Sequence, residues 1–182
     1  MNLYVVRHGQ TDWNIYNKIQ GLTDISLNEV GHEQAEQTAK IFKNIDIEFI
    51  ISSPLERALD TAKHINKYKQ TSLIIDERLK ERYFGDFEGN SDLSQFNCNI
   101  NILLDYNKNY NSYKVEPIQD LYKRVAEFLE ELKVKYCDKS ILLVTHNGII
   151  QVIESILNNH SRQDNLLEMS LNNCEYRRYI CQ

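Results

Sequence analysis

The sequence predicts one α/β domain, a three-layer α/β/α sandwich built on a mostly parallel sheet. Short apolar, β-prone runs alternate with amphipathic helical patterns along the whole chain. Two of these runs, residues 3–6 and 141–144, are continuously apolar, which is typical of strands covered on both faces. The length of 182 residues suits a single core, and the sequence contains neither a linker nor a repeat. Residues 1–182 are therefore expected to form one domain.

The first half of the chain contains three predicted strands and two predicted helices. The strands cover residues 3–6, 48–52 and 72–75. A capping box at residues 26–29 begins the first helix, whose apolar residues keep helical spacing to about residue 44. Ser53 as N-cap and Pro54 at the first helical position predict the second helix, which ends near residue 68.

The second half begins with a region that lacks a clear period. Residues 76–90 are predicted as a loop, and residues 90–117 as an excursion with one or two short helices. The remaining elements are a helix, a strand, a helix and an edge strand, over residues 118–136, 141–144, 149–157 and 171–180. This alternation favours parallel pairing of the strands.

Composition argues against several classes of function. The net charge of −5 does not provide the basic face that a general nucleic-acid partner needs. No apolar run reaches membrane-spanning length, so we expect no membrane partner. The four cysteines, at positions 98, 137, 174 and 181, show neither a CxxC pair nor metal-ligand spacing. We interpret them as reduced thiols in a cytoplasmic protein.

Cationic side chains follow three of the predicted strands. Arg7 and His8 come directly after the first strand, and His146 follows the strand at residues 141–144. Arg57 lies in the first turn after the strand at residues 48–52. Because ligands of open α/β sheets bind beyond the carboxyl ends of the strands, we expect these groups to share one rim. An acidic protein that gathers positive charge in one place is expected to bind a compact anion there.

Phosphate fits this set of side chains. Guanidinium groups match phosphate oxygens in pairs, and a neutral imidazole is a competent nucleophile near neutral pH. A second, protonated imidazole would stabilise charge on the transferring group. The sequence has no Walker A motif and no aspartate cluster typical of magnesium sites. We therefore predict chemistry without a cofactor or a metal.

The motifs around these residues resemble the histidine phosphatase, or phosphoglycerate mutase-like, superfamily, branch 1. The matching segments follow the family's order along most of the chain. They are Arg7-His8-Gly9-Gln10-Thr11 with Asn14, Gln20-Gly21, Ser52 to Ala58, Leu79-Lys80-Glu81 and Thr145-His146-Asn147-Gly148. Each segment alone is weak, but the ordered set is specific. The resemblance implies a phosphoglycerate mutase-like fold.

The resemblance also implies roles for the matching positions. His8 would attack phosphorus and become a phosphohistidine, while Glu81 would protonate the leaving oxygen and later activate water. Three groups would hold the phosphoryl oxygens: Arg7, Arg57 and His146. Further substrate contacts are expected from Asn14, Thr11, Gln20, Gly21 and the backbone N–H of Asn147.

Several positions leave alternatives open. Glu77, Asp86 and Glu88 share a loop with Glu81, so any of them is a candidate acid, although the family pattern favours Glu81. Asn147 stands where the family often has glycine, which brings a side chain close to the pocket. Phe87 replaces a frequent tryptophan, which we interpret as a packing variation. Trp13 suits core packing as well as substrate contact. Arg82 is expected at the surface, with a phosphate contact as the open alternative.

We predict a phosphatase that hydrolyses phosphate monoesters, because residues 82–145 contain no recognisable extra lid of the kind a mutase needs to exclude water. A phosphoglycerate mutase is the alternative, and a non-catalytic binding module is a third, weaker one. The expected partner is a small phosphorylated metabolite, selected by the excursion at residues 90–117 and by the rim around Trp13 and Gln20. Either a monomer or a homodimer is compatible with the sequence.

Overall fold

A five-stranded sheet forms the centre of the molecule in the computed structural model, which describes residues 1–96, 98–108 and 110–181. The strands are β1 (Asn2–Arg7), β2 (Phe49–Ser52), β3 (Ser72–Ile75), β4 (Ser140–Thr145) and β5 (Tyr176–Ile180). Their order in the sheet is β3-β2-β4-β1-β5. All neighbours pair in parallel except β5, which runs antiparallel to β1 at one edge. The predicted mostly parallel sheet is confirmed.

Six α-helices occur in the described residues. They are α1 (Asp12–Ile15), α2 (Glu29–Phe42), α3 (Glu56–Lys69), α4 (Ile100–Leu103), α5 (Ile118–Lys135) and α6 (Asn147–Leu157). α2 packs with α3 against one face of the sheet, and α5 packs with α6 against the other. None of the described helices has the length and apolar character needed to cross a membrane. The layers form the predicted α/β/α sandwich.

Alternating side chains of β1 supply both halves of the core. Leu3 and Val5 pack into the apolar cluster beneath α5 and α6, whereas Tyr4 and Val6 pack into the cluster beneath α2 and α3. Successive strand residues point to opposite faces, so a strand between two helical layers needs apolar residues at every position. The continuous apolar run after Asn2 meets this requirement and fixes β1 inside the sheet.

Three predicted boundaries differ from the structure. α2 begins at Glu29 with Asn28 as its N-cap residue, whose Oδ1 accepts from the Gly31 N–H at 2.8 Å, so the predicted capping box of Ser26 with Glu29 is wrong. α3 begins at Glu56 with Leu55 as its N-cap residue, so the predicted capping role of Ser53 is wrong. The Ser53 hydroxyl accepts a hydrogen bond from the Leu55 N–H at 3.2 Å and lies against His146 instead. β5 begins at Tyr176 because Cys174 adopts a left-handed backbone conformation, with φ at 59°. The segment before β5 therefore crosses the carboxyl end of β1 as a loop.

The excursion at residues 90–117 covers one side of the sheet's carboxyl edge. It contains α4 and two single 3₁₀ turns; residues 97 and 109 of this excursion, like residue 182, lie outside the described ranges. The excursion contributes to a separate small core, in which Leu93, Leu103 and Val115 pack against Phe84 and Phe87. Phe87 itself is fully buried there, which gives this position a packing function.

Truncation of Phe87 should therefore be costly. We expect Phe87→Ala to lower the free energy of unfolding by about 3–5 kcal/mol, because it leaves a cavity in a small core. Val134→Ala is the matched control: Val134 is 82% exposed, and its truncation should change stability by less than about 0.5 kcal/mol. Urea denaturation measures both values. A loss below about 1 kcal/mol for Phe87→Ala would contradict this description of the core.

Candidate active site

Two histidines meet where β1 and β4 end side by side. Arg7 pairs with Thr145 at the last position of the two strands, and the His8 N–H donates to the Thr145 carbonyl at 3.0 Å. His146 directly follows β4, so both imidazoles lie at the same edge of the sheet. Their ring centroids lie 5.2 Å apart. Parallel pairing thus brings together two residues that are 138 positions apart in the sequence.

Hydrogen bonding determines the tautomer of His8. Its Nδ1 lies 2.7 Å from the Gly9 carbonyl oxygen, which only accepts, so Nδ1 carries the proton. The lone pair is therefore on Nε2. Burial lowers the pKa of His8 well below its ordinary value, and the positive charges of Arg57 and Arg7 lower it further. The ring is neutral near pH 7, which is the form a nucleophile requires.

Arg7 places a guanidinium beside His8. One terminal nitrogen donates to the Leu171 carbonyl at 2.6 Å, which fixes the direction of the side chain. Its Nε is buried and has no hydrogen-bond partner among the described residues. Burial lowers the pKa of Arg7, but a guanidinium retains its charge inside proteins. An unpaired cationic donor at a cavity wall is suited to an anionic ligand.

Arg57 lies directly behind the two histidines. It is completely buried, and its terminal nitrogens donate to the carbonyls of Gly21 at 2.8 Å and Thr23 at 3.1 Å. Its Nε donates to Nδ1 of His146 at 3.2 Å. Gly21 itself packs against the Glu88 carboxylate, which a Cβ at this position would overlap. Arg57 therefore adds positive charge to the site from a fixed position.

His146 differs from the protonated imidazole that we expected. Because the Arg57 Nε only donates, Nδ1 of His146 must accept, and the ring proton lies on Nε2. Nε2 then donates to the Ser53 hydroxyl at 2.7 Å. Burial lowers the pKa of His146 well below its usual value, and the neighbouring Arg57 lowers it further. The structure thus holds His146 as a neutral imidazole bonded at both nitrogens.

Glu81 faces the cavity from the opposite side. Its two carboxylate oxygens accept hydrogen bonds from the backbone N–H groups of Arg82 at 2.8 Å and Gly148 at 3.1 Å. Burial raises the pKa of Glu81, and these two hydrogen bonds together with Arg57 offset part of the rise. Burial therefore favours the protonated form of this carboxyl more than in a solvated glutamate, which suits a group that gives up and takes back a proton.

The other three candidate acids lie elsewhere. Glu77 is exposed beside Lys80, and Asp86 is exposed beside Lys114. Glu88 accepts hydrogen bonds from the backbone N–H groups of residues 22, 23 and 84, which ties two loops together. Of the four carboxylates in this loop, Glu81 is the one that lines the cavity. The geometry therefore favours Glu81, in agreement with the family pattern.

Asn14 presents its amide nitrogen to the site because its oxygen is already occupied. Oδ1 of Asn14 accepts from the Thr11 N–H, from the Thr11 hydroxyl and from the amide of Asn173. The Nδ2 group of Asn14 is left as a donor on the cavity side. Thr11 acts as the N-cap of α1 and does not line the cavity, so its position suits orientation of Asn14.

The side chain of Asn147 links α6 to the segment at residues 170–171. Its Nδ2 donates to the Ser170 hydroxyl at 3.1 Å, and its Oδ1 accepts from the Leu171 N–H at 3.1 Å. Leu171 in turn supplies the carbonyl that fixes Arg7. Asn147 is also the first residue of α6, where backbone N–H groups lack partners within the helix. Its side chain thus connects the start of α6 to the arginine.

These groups surround a cavity of about 940 Å³. Its wall includes six of the predicted site residues: Arg7, His8, Asn14, Gln20, Glu81 and Asn147. Thr11, Gly21, Arg57 and His146 lie one layer behind the wall. Gln20 is notable because both polar atoms of its amide are buried without a hydrogen-bond partner among the described residues. Trp13 also lines the cavity, which favours substrate contact for this residue.

A comparison with protein families identifies the chain. The profile of the histidine phosphatase superfamily (branch 1) matches residues 3–181. The chain belongs to this superfamily. The family predicted from the ordered motifs is therefore confirmed.

Similar proteins agree with this assignment. The histidine phosphatase is 36% identical over 152 residues to a Bacillus subtilis (strain 168) protein named uncharacterized phosphatase PhoE; the match covers 82% of this chain and 73% of that protein. A phosphoserine phosphatase from Entamoeba histolytica, solved with 3-phosphoglyceric acid, is 32% identical with a TM-score of 0.83, covering 98% of this chain and 90% of the other. A mycobacterial glucosyl-3-phosphoglycerate phosphatase reaches a TM-score of 0.87 at 24% identity, covering 97% and 90%, and supports the fold alone. The names agree with the predicted phosphatase class.

Sequence reasoning missed one residue at the site and misplaced another. Asn173 lines the cavity of this histidine phosphatase and donates to the His8 carbonyl at 3.0 Å. Asn173 lies within the edge strand predicted at residues 171–180, but β5 begins only at Tyr176, so the residue belongs to the loop that reaches the site. Arg82, expected at the surface, is 1% exposed and donates to the carbonyls of Glu116 at 2.8 Å and Leu103 at 2.7 Å. Those partners lie in the excursion, which the sequence pattern did not place.

The lowered pKa of His8 has a consequence for stability. As the pH falls below about 6.5, the unfolded chain takes up a proton at His8 that the folded site excludes. The free energy of unfolding therefore falls through this range. We expect His8→Gln to lose less stability than the wild type when the pH is lowered from about 7.5 to about 5.5. Urea denaturation at both pH values measures the difference.

The control for this experiment is His160→Gln, which removes an exposed imidazole that does not line the cavity. An equal loss of stability in His8→Gln and the wild type would contradict the assignment of a neutral, buried His8.

Proposed function

We propose that this histidine phosphatase hydrolyses phosphate monoesters of small metabolites through a phosphohistidine on His8. The observation that carries the proposal is that His8, with its Nε2 lone pair, lines one cavity together with Glu81 and with Arg7, whose Nε has no partner among the described residues. Nucleophile, anion-binding cation and proton donor are the three functions that phosphoryl transfer to an imidazole needs.

In the first step, Nε2 of His8 attacks phosphorus while the bond between phosphorus and the ester oxygen breaks. The protonated Glu81 carboxyl gives its proton to the departing oxygen, so the alcohol leaves neutral. Arg7 and the Asn14 amide donate to the phosphoryl oxygens, and Arg57 adds charge from behind. Because these donors are fixed before substrate arrives, they stabilise the transition state without reorganising.

In the second step, a water molecule attacks the phosphorus of the phosphohistidine. The Glu81 carboxylate left by the first step accepts a proton from this water, and the bond between phosphorus and Nε2 breaks. Inorganic phosphate departs, and His8 returns to its neutral form with the proton on Nδ1. Glu81 returns to its protonated form, so the same group serves as acid and then as base.

The substrate is proposed to be a small phosphorylated metabolite. A cavity of about 940 Å³ accommodates a phosphate and a compact organic group. Residues 91–94 and 98–100 of the excursion form part of the wall, which supports its predicted role in specificity. The similar Entamoeba protein is a phosphoserine phosphatase, so phosphoserine is the first compound to test.

Removal of the nucleophile should abolish turnover. We expect His8→Ala to lower kcat for p-nitrophenyl phosphate by at least about a thousandfold, because the covalent path is lost. His160→Ala is the matched histidine control and should retain wild-type activity. Steady-state release of p-nitrophenol measures both. Full activity in His8→Ala would overturn the proposal.

A mutase and a phosphatase with the same phosphohistidine differ in the molecule that accepts the phosphoryl group from it. With 3-phosphoglycerate and a bisphosphoglycerate primer, the proposal predicts release of inorganic phosphate. Isomerisation much faster than phosphate release would identify a mutase instead.

A further inference from the structure

Arg124 forms a dense set of contacts with the loop that carries Glu81. It projects from the second turn of α5, and one of its terminal nitrogens donates to the carbonyls of Arg78 at 2.6 Å and Lys80 at 2.9 Å. Its other terminal nitrogen donates to the carbonyl of Glu81 itself at 3.3 Å. A single guanidinium therefore holds three carbonyls within four consecutive residues.

Glu116 fixes the direction of that guanidinium. The two side chains form a bidentate pair, in which Nε of Arg124 lies 2.7 Å from Oε1 and its terminal nitrogen lies 3.0 Å from Oε2. Glu116 also reaches the loop directly, because its backbone N–H donates to the Tyr83 carbonyl at 2.8 Å and its carboxylate accepts from the Tyr83 N–H at 3.2 Å. Both side chains are about four-fifths buried, at 22% and 18% exposed.

The pair acts on the backbone of Glu81 and does not line the cavity. The Glu81 carboxylate has its own hydrogen bonds, to the backbone N–H groups of Arg82 and Gly148. Those bonds set the rotation of the side chain, but they hold its distance from His8 only if the backbone at residue 81 is fixed. Arg124 supplies that fixed point, since its carbonyl contacts lie before and at Glu81.

We propose that Arg124 and Glu116 form a positioning pair that holds Glu81 at the distance from which it protonates the leaving oxygen. The inference rests on the proposed function, in which Glu81 is the general acid. Proton transfer requires hydrogen-bond distance, and a displacement of about 1 Å lowers its rate about a hundredfold. Loss of the pair should therefore impair the step that uses Glu81's proton more than the steps that do not.

The leaving group distinguishes these steps. p-Nitrophenolate departs readily without a proton, whereas the serine alkoxide of phosphoserine requires one. The parameter kcat/KM reports binding and the first phosphoryl transfer. It does not include the later hydrolysis of the phosphohistidine, which is the same for both substrates. A residue that positions the acid should affect phosphoserine selectively, whereas a residue that only stabilises the fold should affect both substrates alike.

The experiment compares kcat/KM for phosphoserine and p-nitrophenyl phosphate in Arg124→Lys, Arg124→Gln and Glu116→Gln. We expect a loss of about tenfold to a hundredfold for phosphoserine and less than about threefold for p-nitrophenyl phosphate. Arg124→Lys should show the same selectivity as Arg124→Gln, because an ammonium has the charge but not the planar fork that spans three carbonyls. Circular dichroism and thermal melting establish folding, and Arg124→Lys and Glu116→Gln provide the test where Arg124→Gln does not fold.

Arg178→Gln is the matched arginine control. The Arg178 side chain is exposed on β5 and donates to Asn2 Oδ1 at 2.9 Å, with no contact to the loop that carries Glu81. This variant should leave both kcat/KM values unchanged.

Glu81→Gln separates failure of this inference from failure of the proposed function. It should show the same preference for p-nitrophenyl phosphate, and Arg124→Gln should add little further loss for phosphoserine in a Glu81→Gln background. If Glu81→Gln lowers kcat/KM equally for both substrates, the general-acid role fails, and the positioning role fails with it. If Glu81→Gln lowers kcat/KM selectively for phosphoserine, but the Arg124 and Glu116 variants lower it equally for both substrates, only the positioning role is overturned.

Discussion

The parallel pairing of β1 with β4 is the constraint on which the rest of the site depends. It places the residues after Arg7 and Thr145 at one edge of the sheet, with the imidazoles of His8 and His146 5.2 Å apart. Neither strand remains at this position without its apolar side chains, because both faces of the sheet are covered by helices. The core and the site are thus set by the same register.

Burial of the site disfavours the positive charge that its basic side chains would carry. Two guanidinium groups and two imidazoles lie together in a buried layer, where desolvation disfavours every positive charge. The arginines remain charged because of their intrinsic basicity, so the histidines become neutral. Backbone carbonyls of Gly21, Thr23 and Leu171 compensate part of the cost. The remaining positive potential suits the phosphoryl group of the proposed substrate, and it also keeps His8, the proposed nucleophile, unprotonated.

The sequence predicted the residues that follow strands and failed where partners are distant backbone atoms. Arg7, His8 and His146 could be assigned to one site because strand ends in a parallel sheet converge. The N-cap at Ser53 was wrong because its hydroxyl serves His146, a tertiary contact that local capping rules do not include. Arg82 bonds carbonyls in the excursion and Arg124 bonds carbonyls in the loop at residues 76–90, and neither segment has a periodic pattern. Side chains that bond backbone far along the chain leave no sequence signature.

Trapping of the phosphoenzyme tests the central claim most directly. Radiolabelled p-nitrophenyl phosphate is mixed with the enzyme and quenched rapidly, and the labelled residue is located by mass spectrometry. A phosphohistidine on His8 predicts protein-bound label that is lost in acid, is stable in base and is absent from His8→Ala. Label that survives acid, or that persists in His8→Ala, would contradict the account.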